Sequence, residues 1–351
     1  MFRGKNLSLS VYGTSHGPSV GCLLSGIPPG LEINMQTLES AMRLRKTGGK
    51  YASKRTEEDN VEFLSGVNNN ITTSEPILIQ IQNQDAKRTD YSFLPKQPRP
   101  GHQDMVMNIA SEGNADLSGG GSSSARLTAG IVAAAAILEQ ILVQNNVKIT
   151  AQVSKIGGVE APILQENSKI EDQEIFDYVR CFDKKAGQKM INLLDEVRKS
   201  KDSIGSKVEV LISGMPIAVG GQWFDGMESM FASAMMAIPA ARGVEFSKGF
   251  EAINLHGSEH NNGWKEEQGN IVQDGENPDG IIAGLTTGSP IRIGIAFKPP
   301  SSIAKPQSTL NIQTGEVEEL VVKGRHDPVI GPRAVAVAKA MATLVICDYL
   351  I

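Results

Sequence analysis

Short apolar runs, some alternating with polar residues and some continuous, recur along the whole chain. Most are bounded by glycine, proline or asparagine, which is typical of β-strands. Stretches with apolar residues at helical spacing separate them. The runs that predict strands are residues 7–12, 20–24, 61–64, 77–81, 147–153, 208–212, 291–297 and 317–322.

Four further stretches predict helices. Asn34 is a predicted N-cap for a helix that carries Arg43 and Arg45 at its C-terminal end. An alanine-rich stretch is apolar on nearly all sides and predicts a buried helix that starts at the serine run, residues 122–124. A narrow apolar stripe over 190–197 predicts a surface helix, and Pro332 begins a last, apolar helix that runs almost to the end of the chain.

Two hexapeptides are alike: Leu-Leu-Ser-Gly-Ile-Pro at 23–28 and Leu-Ile-Ser-Gly-Met-Pro at 211–216. Each closes a predicted strand, so we expect two similarly built halves, with a chance match as the alternative. A length of 351 residues is compatible with about two domains. Because no low-complexity linker divides the halves, we expect one domain over residues 1–351.

Composition narrows the class of protein. Hydrophobic residues make up 40% and charged residues 21% of the chain, which is typical of a globular fold. The net charge of −5 argues against a nucleic-acid partner, because such proteins usually present a basic surface. We expect no membrane span and a cytoplasmic location. The widely separated Cys22, Cys181 and Cys347 predict buried free thiols without structural zinc.

Residues 118–125, Ser-Gly-Gly-Gly-Ser-Ser-Ser-Ala, lead into the predicted buried helix. Glycines let the backbone approach a ligand, serine hydroxyls cap a helix, and the start of a helix attracts negative charge. The run therefore predicts an anion site, with a flexible linker as the alternative.

Three of the five histidines lie in loops rich in glycine or proline: His16, His102 and His326. Histidine suits proton transfer near neutral pH, although any single loop histidine is more often structural. No pair has the spacing of a metal-binding helix, so no metal site is expected. The glycine fingerprint of dinucleotide-binding folds is also absent from the sequence, which disfavours a hydride-transferring enzyme.

Arginine and lysine residues cluster in or beside loops marked by glycine or proline. Guanidinium groups bind carboxylates and phosphates through paired hydrogen bonds, so this placement predicts a ligand with several anionic groups. Ordinary solvent-exposed surface accounts for some of these cations. The loop from Lys298 to Ser302 adds two hydroxyls and predicts a second phosphate site. The cations are Arg43, Arg45, Lys50, Arg55, Arg99, Arg126, Lys298, Arg325 and Arg333.

Eight segments, taken in order and spacing, resemble chorismate synthase along nearly the whole chain. They include Gly-Thr-Ser-His-Gly at 13–17 and Arg-Pro-Gly-His-Gln-Asp at 99–104. The other segments are 26–30, 61–67, the glycine-serine run, 243–246, 298–302, and 324–328 together with 332–334.

The resemblance implies a lyase of the shikimate pathway of aromatic amino-acid biosynthesis. Such an enzyme converts 5-enolpyruvylshikimate 3-phosphate to chorismate and phosphate by a 1,4-anti elimination that requires reduced FMN without net redox change. The implied fold is α+β, a β-α-β sandwich with central helices packed between antiparallel sheets, assembled as a homotetramer. Whether the chain would reduce its own flavin with NADPH stays open, and its length favours an outside reductant.

The resemblance also implies roles for single residues. His16 would protonate the reduced flavin, His102 would assist the departing phosphate, and Asp327 would help the flavin nitrogen accept the ring proton. Ser15 would orient this proton chemistry. The implied FMN contacts are Ser122, Ser123, Ser124, Pro239, Ala240, Ala283, Lys298, Pro299, Pro300, Ser301, Ser302 and Arg325. The candidates for the anionic groups of the substrate are Arg43, Arg45, Lys50, Arg99, Arg126 and Arg333.

Some positions depart from the family. Leu44, Ser118 and Ser122 stand where many members have arginine, and Leu127 stands where many have glutamate. Two other functions stay open at this point. A small-molecule kinase of the GHMP family has a similar glycine-serine loop but no use for the two histidine loops. A flavin- or metabolite-binding protein without catalysis would keep the arginines only.

Overall fold

The computed structural model of the chain describes residues 1–46, 58–84, 91–267, 269–275, 278–322 and 326–351. The strands in these ranges are β1 (Phe2–Arg3), β2 (Ser8–Gly13), β3 (Ser19–Ser25), β4 (Val61–Ser65), β5 (Val67–Asn68), β6 (Ile71–Thr72), β7 (Ile77–Gln82), β8 (Lys148–Ile156), β9 (Val159–Glu160), β10 (Ser206–Ser213), β11 (Ala241–Phe246), β12 (Gly263–Glu267), β13 (Asn270–Asp274), β14 (Ile281–Ile282), β15 (Leu285–Thr286), β16 (Ile291–Phe297), β17 (Gln307–Leu310) and β18 (Val317–Leu320). The helices are α1 (Met35–Arg45), α2 (Asp104–Ala110), α3 (Thr128–Gln144), α4 (Gln173–Val179), α5 (Lys184–Lys199), α6 (Met227–Met236), α7 (Gly257–His260) and α8 (Gly331–Leu350).

The predicted strands are confirmed as β2, β3, β4, β7, β8, β10, β16 and β18. The predicted helices are confirmed as α1, α3, α5 and α8. Asn34 caps α1 as predicted, since its side chain accepts the N–H of Thr37 at 3.1 Å. Pro332 lies in the first turn of α8, where a helix does not need the missing N–H.

Two five-stranded antiparallel sheets form the outer layers of the fold. Their strand orders are β1-β2-β3-β7-β4 and β11-β16-β10-β8-β9. Helix α3 packs against β3 and β7 of the first sheet, and α8 packs against β8 and β10 of the second. The two helices also pack against each other. The predicted α+β sandwich, with central helices between antiparallel sheets, is therefore confirmed.

Side chains alternate in the first sheet because one of its faces meets the helices. In β3, Cys22 and Leu24 are fully buried, whereas Leu23 between them is 40% exposed. Gly130 lets α3 approach β3 so closely that a Cβ there would lie 2.8 Å from the backbone of Gly21. The stretch Ala125–Gln144 is apolar and long enough to cross a membrane, but 78% of its apolar window is buried inside the fold. It is therefore a core helix.

The buried core is one connected cluster that extends from Leu7 to Cys347. This continuity supports the predicted single domain, which stays a prediction. Cys22, Cys181 and Cys347 are buried free thiols, as predicted. Burial raises the pKa of Cys22 to about 12, so its thiol stays protonated near neutral pH.

The two similar hexapeptides occupy equivalent places in the two sheets. They end the middle strands, β3 and β10, and each continues into a glycine with a left-handed backbone, φ +90° at Gly26 and +84° at Gly214. A Cβ would lie 1.8 Å from the carbonyl oxygen of Asn6 in the first case and 2.2 Å from that of Asn146 in the second. Glycine is required in both turns for the same steric reason, which supports the expectation of two similar halves.

Asp348 in α8 joins the two ends of the chain. Its fully buried carboxylate accepts the backbone N–H groups of Lys5 at 2.8 Å, Asn6 at 2.8 Å and Leu7 at 2.7 Å. The variant Asp348→Ala leaves these donors without their acceptor, so its free energy of unfolding falls by about 3 kcal/mol. Urea unfolding measures the loss, and Asp348→Asn, which keeps one acceptor oxygen, loses less. Equal midpoints for Asp348→Ala and the wild type contradict this anchoring role.

Candidate active site

Six segments from both halves of the chain meet at one cleft. They are the β2–β3 loop, the loop before α2, the glycine-serine run, the start of β11 with the segment before it, the loop after β16 and the loop before α8. The cleft has a volume of about 560 Å³, within the usual range for small-molecule sites. Of the predicted site residues, those that line it are Ser15, His16, Arg99, His102, Ser123, Ser124, Pro239, Ala240, Lys298, Pro300, Ser301 and Ser302.

The ring of His16 is held by its neighbours in the loop. Its Nδ1 lies 2.9 Å from Oγ of the buried Ser15, which in turn lies 3.3 Å from the carbonyl oxygen of Ser118. Tyr91 meets the ring edge-on, with centroids 5.2 Å apart. A Cβ at Gly119 would lie 2.5 Å from Cε1 of His16, and φ of Gly119 is +65°, so only glycine allows this contact. The glycine run thus forms one wall of the histidine site.

His102 belongs to a buried charged cluster with Asp104 and Arg99. Nδ1 of His102 lies 2.7 Å from Oδ1 of Asp104, and Arg99 forms an ion pair with the same carboxylate at 2.7 Å. Asp104 is 1% exposed, whereas the side chain of His102 is 20% exposed and faces the cleft. Burial alone would raise the pKa of Asp104, but hydrogen bonds from Arg99 and His102 outweigh burial and hold that pKa well below its usual value. Asp104 is therefore ionised.

Arg99 joins three of the loops. Beyond Asp104, its guanidinium donates to the carbonyl oxygen of Gly119 at 2.5 Å and to Oγ of Ser302 at 3.1 Å. Its Cζ lies 5.3 Å from the ring centre of Tyr91, within the range of a cation–π contact. The residue is 4% exposed. It therefore assembles the cleft as well as contributing charge to it.

Lys298 and Ser301 bring the loop after β16 to the loop of His102. Nζ of Lys298 donates to the carbonyl oxygen of Gly101 at 2.5 Å and lies 3.1 Å from Oγ of Ser301. Burial, together with the charge of nearby Arg242, lowers the pKa of Lys298. Both cations line the cleft. A bound anion would favour the charged ammonium and offset the repulsion between these two cations.

The glycine-serine run is a structured turn, and the prediction that it directly begins the buried helix was wrong. Residues Gly121–Ser123 and Ala125–Leu127 form short 3₁₀ turns, and α3 begins only at Thr128. The positive φ angles of Gly119 and Gly121 and the extended backbone of Ser124 interrupt any α-helix before Thr128. Oγ of Ser124 does cap, but it accepts the N–H of Arg126 at 3.2 Å in the second 3₁₀ turn. The flexible-linker alternative does not fit this ordered turn.

Next to the cleft lies an arginine cluster, defined by Arg45, Arg126, Arg333, Asp59 and Asp327. The fully buried carboxylate of Asp59 pairs with Arg45 at 2.6 Å and with Arg126. Arg333 pairs with Asp327 at 3.4 Å. Burial lowers the pKa of Arg45, and Asp59 opposes that effect while the charges of Arg126 and Arg333 add to it. Three guanidinium groups thus lie close to two carboxylates beside the cleft.

Asn83 connects the arginine cluster to the loop of His16. Its side-chain NH₂ donates to the carbonyl oxygens of Thr14 at 3.0 Å and Gly17 at 2.8 Å. Its Oδ1 accepts the Nε–H of Arg126 at 2.9 Å. Arg126 also directly follows Ala125, which lines the cleft. The cluster and the cleft are therefore parts of one continuous site.

The remaining predicted residues lie elsewhere or outside the described residues. Ser122 and Pro299 are exposed next to lining residues, and Arg43 is exposed near the end of α1. Ala283 lies in the turn between β14 and β15, away from the cleft lining. Lys50 and Arg325, as well as Arg55, lie outside the described residues. The roles of all these residues stay predictions.

Sequence reasoning missed several residues of the site. Tyr91, Gln103 and Arg242 line the cleft, and Asp104 and Asp59 lie behind it. Asp104 follows His102 by two positions, so a search for a carboxylate near each loop histidine could have found it. Nothing in the local sequence marks Tyr91, since its partners His16 and Arg99 come from other loops. Among the described residues, no group of three or more histidine, cysteine, aspartate or glutamate side chains could hold a metal ion.

The fold and the cleft define an α+β enzyme of small-molecule metabolism, and comparisons with known proteins give its family. A family profile described as chorismate synthase matches residues 7–351. A chorismate synthase of Aeropyrum pernix is 42% identical over 349 residues, covering 99% of this chain and 92% of that protein. One from Gloeothece citriformis is 41% identical over 351 residues, covering 99% and 96%. A solved crystal structure of chorismate synthase matches with a TM-score of 0.76 and 26% identity, covering 99% of this chain and 92% of the other.

The chain belongs to the chorismate synthase family, whose members are lyases of the shikimate pathway. The resemblance stated from eight sequence segments is thereby confirmed. A relative from Thermococcus gammatolerans, 36% identical over 351 residues and covering 99% of this chain and 97% of that protein, carries the same name.

Proposed function

We propose that this enzyme converts 5-enolpyruvylshikimate 3-phosphate to chorismate and phosphate by a 1,4-anti elimination with reduced FMN. The observation that supports this function most is that His16 and His102, 86 positions apart in the chain, line the same cleft. An elimination of phosphate needs two proton-transfer groups at one site, and neutral-range histidines suit that work. Arg99 on the loop of His102, together with Arg242 and Lys298 on two further segments, gives the same cleft affinity for phosphate and carboxylate groups.

The cleft residues fit a flavin mononucleotide. Lys298, Ser301 and Arg242 offer an ammonium, a hydroxyl and a guanidinium for the terminal phosphate. The backbone of Gly119 and Gly120 gives a wall without side chains, against which a flat ring system can lie. When bound, reduced FMN supplies electron density as the C–O bond of the substrate breaks.

The histidines and Asp327 hold the protons of the reaction. Nδ1 of His16 is hydrogen-bonded to Oγ of Ser15, so the proton that His16 transfers is on Nε2. His102 gives a proton to the leaving phosphate oxygen. Asp327 assists removal of the ring proton. It pairs with Arg333 through Oδ2, and it lies three positions before Ile330, which lines the cleft. Arg126, Arg45 and Arg333 bind the carboxylates and phosphate of the substrate.

An anaerobic turnover assay tests this function. Purified protein with the enolpyruvyl substrate and reduced FMN releases phosphate and forms chorismate, and oxidised FMN alone gives neither. Repeating the assay with oxidised FMN and NADPH shows whether the chain reduces its own flavin. In a thermal-shift titration, FMN raises the midpoint strongly and ATP only weakly. Protection by ATP with no phosphate release from the enolpyruvyl substrate contradicts the proposal and favours a kinase.

We also propose a cytoplasmic homotetramer with one domain per chain. Large apolar side chains that are strongly exposed support assembly, because single copies rarely leave such groups in water together. Trp223 and Phe224 are 86% and 89% exposed, and Phe250 and Ile253 are 69% and 86% exposed. Light scattering on the purified protein measures the mass of the assembly, and the mass of a single chain, 37.6 kDa, contradicts it.

A further inference from the structure

Asp104 is buried, and its carboxylate has more hydrogen-bonding partners than the capping of the short helix α2 requires. It is the first residue of α2, is 1% exposed and does not line the cleft. Its Oδ2 accepts the Nε–H of Arg99 at 2.7 Å and the backbone N–H of the same residue at 3.0 Å. Its Oδ1 lies 2.7 Å from Nη2 of Arg99 and 2.7 Å from Nδ1 of His102. The carboxylate therefore contacts both a cation and a candidate proton donor.

The hydrogens of Arg99 decide which nitrogen of His102 carries the proton. Nη2 of Arg99 has two hydrogens, and it donates to Oδ1 of Asp104 at 2.7 Å and to the carbonyl oxygen of Gly119 at 2.5 Å. It has none left for Nδ1 of His102, although the two nitrogens are 3.0 Å apart. If Nδ1 of His102 carried no hydrogen, its lone pair would face the ionised carboxylate oxygen of Asp104. It would also face Nη2 of Arg99, whose two hydrogens are already donated elsewhere. Only a protonated Nδ1 satisfies this geometry.

We propose that Asp104 is a positioning residue that keeps the proton of His102 on Nδ1 and leaves Nε2 to exchange a proton with the ligand. The inference rests on the proposed function and adds a residue that acts through His102 without touching the substrate. Carboxylates orient imidazoles in this way in catalytic triads and behind metal-bound histidines. Arg99 completes the arrangement, since its two bonds to Asp104 fix the carboxylate in the plane that His102 needs.

The proton balance of the step follows from this tautomer. A ring protonated on both nitrogens gives its Nε2 proton to the phosphate oxygen as the C–O bond breaks, and the bonding electrons leave with the phosphate. The ring is then neutral, with Nδ1–H still bonded to Asp104. Solvent returns a proton to Nε2 before the next turnover. Asp104 keeps its negative charge throughout and faces an imidazolium that it stabilises before the transfer.

The wild-type protein provides the first test, without any variant. Two-bond nitrogen–proton NMR on ¹⁵N-histidine-labelled protein distinguishes the two neutral tautomers, and the signals missing in His102→Ala identify the ring of His102. At a pH at which the ring is neutral, we expect the Nδ1–H tautomer for His102. Observation of the Nε2–H tautomer overturns the inference, whatever the enzyme turns out to catalyse.

Variants of Asp104 provide the second test. Asp104→Asn lowers kcat by about 10-fold to 100-fold, the usual effect of removing the partner that orients a functional histidine. Its amide NH₂ can donate to Nδ1, so the Nε2–H tautomer gains population. Asp104→Glu keeps the charge and retains more of the rate. If Asp104→Asn fails to fold, Asp104→Glu and the wild-type tautomer still decide the question.

A double-mutant cycle separates action through His102 from action through Arg99. In a His102→Ala background, Asp104→Asn changes kcat less than threefold if Asp104 works through the histidine, whereas independent effects multiply. Multiplying effects, or a wild-type kcat in the single variant, overturn the inference. Lack of chorismate formation by the wild type would overturn the proposed function instead. The tautomer measurement would still test whether Asp104 keeps the proton of His102 on Nδ1.

Discussion

Replacing His102 with alanine lowers the rate of chorismate formation on the order of 100-fold or more. A general acid typically contributes that much, because it removes the need for the phosphate to leave with its full charge. Affinity for FMN stays nearly unchanged, since the FMN contacts proposed above come from the glycine run, from Arg242 in β11 and from the loop after β16. Anaerobic phosphate release measures the rate, and flavin fluorescence titration measures the affinity.

The matched control is a histidine outside the cleft. His256 is exposed and precedes α7, and it does not line the cleft. The variant His256→Ala keeps the wild-type rate. If His102→Ala also keeps that rate, His102 is not the acid that assists the departing phosphate. A loss of FMN binding that matches the loss of rate contradicts a role in proton transfer alone.

Replacing Asp59 with asparagine lowers the free energy of unfolding by about 3 kcal/mol, the typical effect of removing one partner of a buried ion pair. The side chain of Asp59 is fully buried between those of Arg45 and Arg126, which are 11% and 5% exposed. Without the carboxylate, the two guanidinium groups repel each other in a poorly solvated place. Asparagine removes the charge without adding backbone strain, because φ of Asp59 is +55° and asparagine tolerates this left-handed conformation. Urea unfolding of both proteins measures the difference.

The loss depends on pH in a defined direction. Burial alone would raise the pKa of Asp59, but the charges of Arg45 and Arg126 outweigh burial and lower it. A carboxylate with a lowered pKa in the folded state stabilises fully above its unfolded pKa of about 4, and the stabilisation disappears as the pH falls through the folded pKa. The difference between wild type and Asp59→Asn is therefore constant at neutral pH and shrinks in acid.

Two further measurements complete this prediction. Asn60→Gln changes the neighbouring exposed residue without adding a charge and leaves the arginine cluster intact, so its free energy of unfolding stays within about 0.5 kcal/mol of the wild type. Inorganic phosphate stabilises Asp59→Asn more than the wild type, because an anion can take the place of the lost charge. Equal stability of Asp59→Asn and the wild type across pH 3 to about 8 would mean that the arginines find other compensation.

Local sequence patterns were sufficient for many strands and helices of the core, whereas other elements such as β11 and α6 were not predicted. Alternation in β3 predicts a strand with one buried face, and the buried Cys22 beside the exposed Leu23 matches it. Asn34 caps α1 and Pro332 begins α8 through backbone groups only a few residues away. Their effects could therefore be predicted without tertiary contacts. The start of α3 was placed too early, because the left-handed backbone of Gly119 and Gly121 and the extended backbone of Ser124 interrupt the helix, and the apolar pattern of the sequence does not show these angles.

The sequence by itself determined eight of the strands, the central helices, the family, and that His16, His102 and Arg99 are candidate site residues, because these depend on local periodicity and on whole motifs in order. Only the tertiary structure decided how those side chains are paired. Asp59 forms ion pairs with Arg45 and with Arg126, which lies 67 positions away in the chain. Arg99 donates a hydrogen bond to Ser302, which lies 203 positions away. Such partners have no signature in local sequence, because hydrogen bonds and ion pairs act over a few ångströms in space. Loop convergence, set by the packing of both sheets on α3 and α8, brings these groups within that distance.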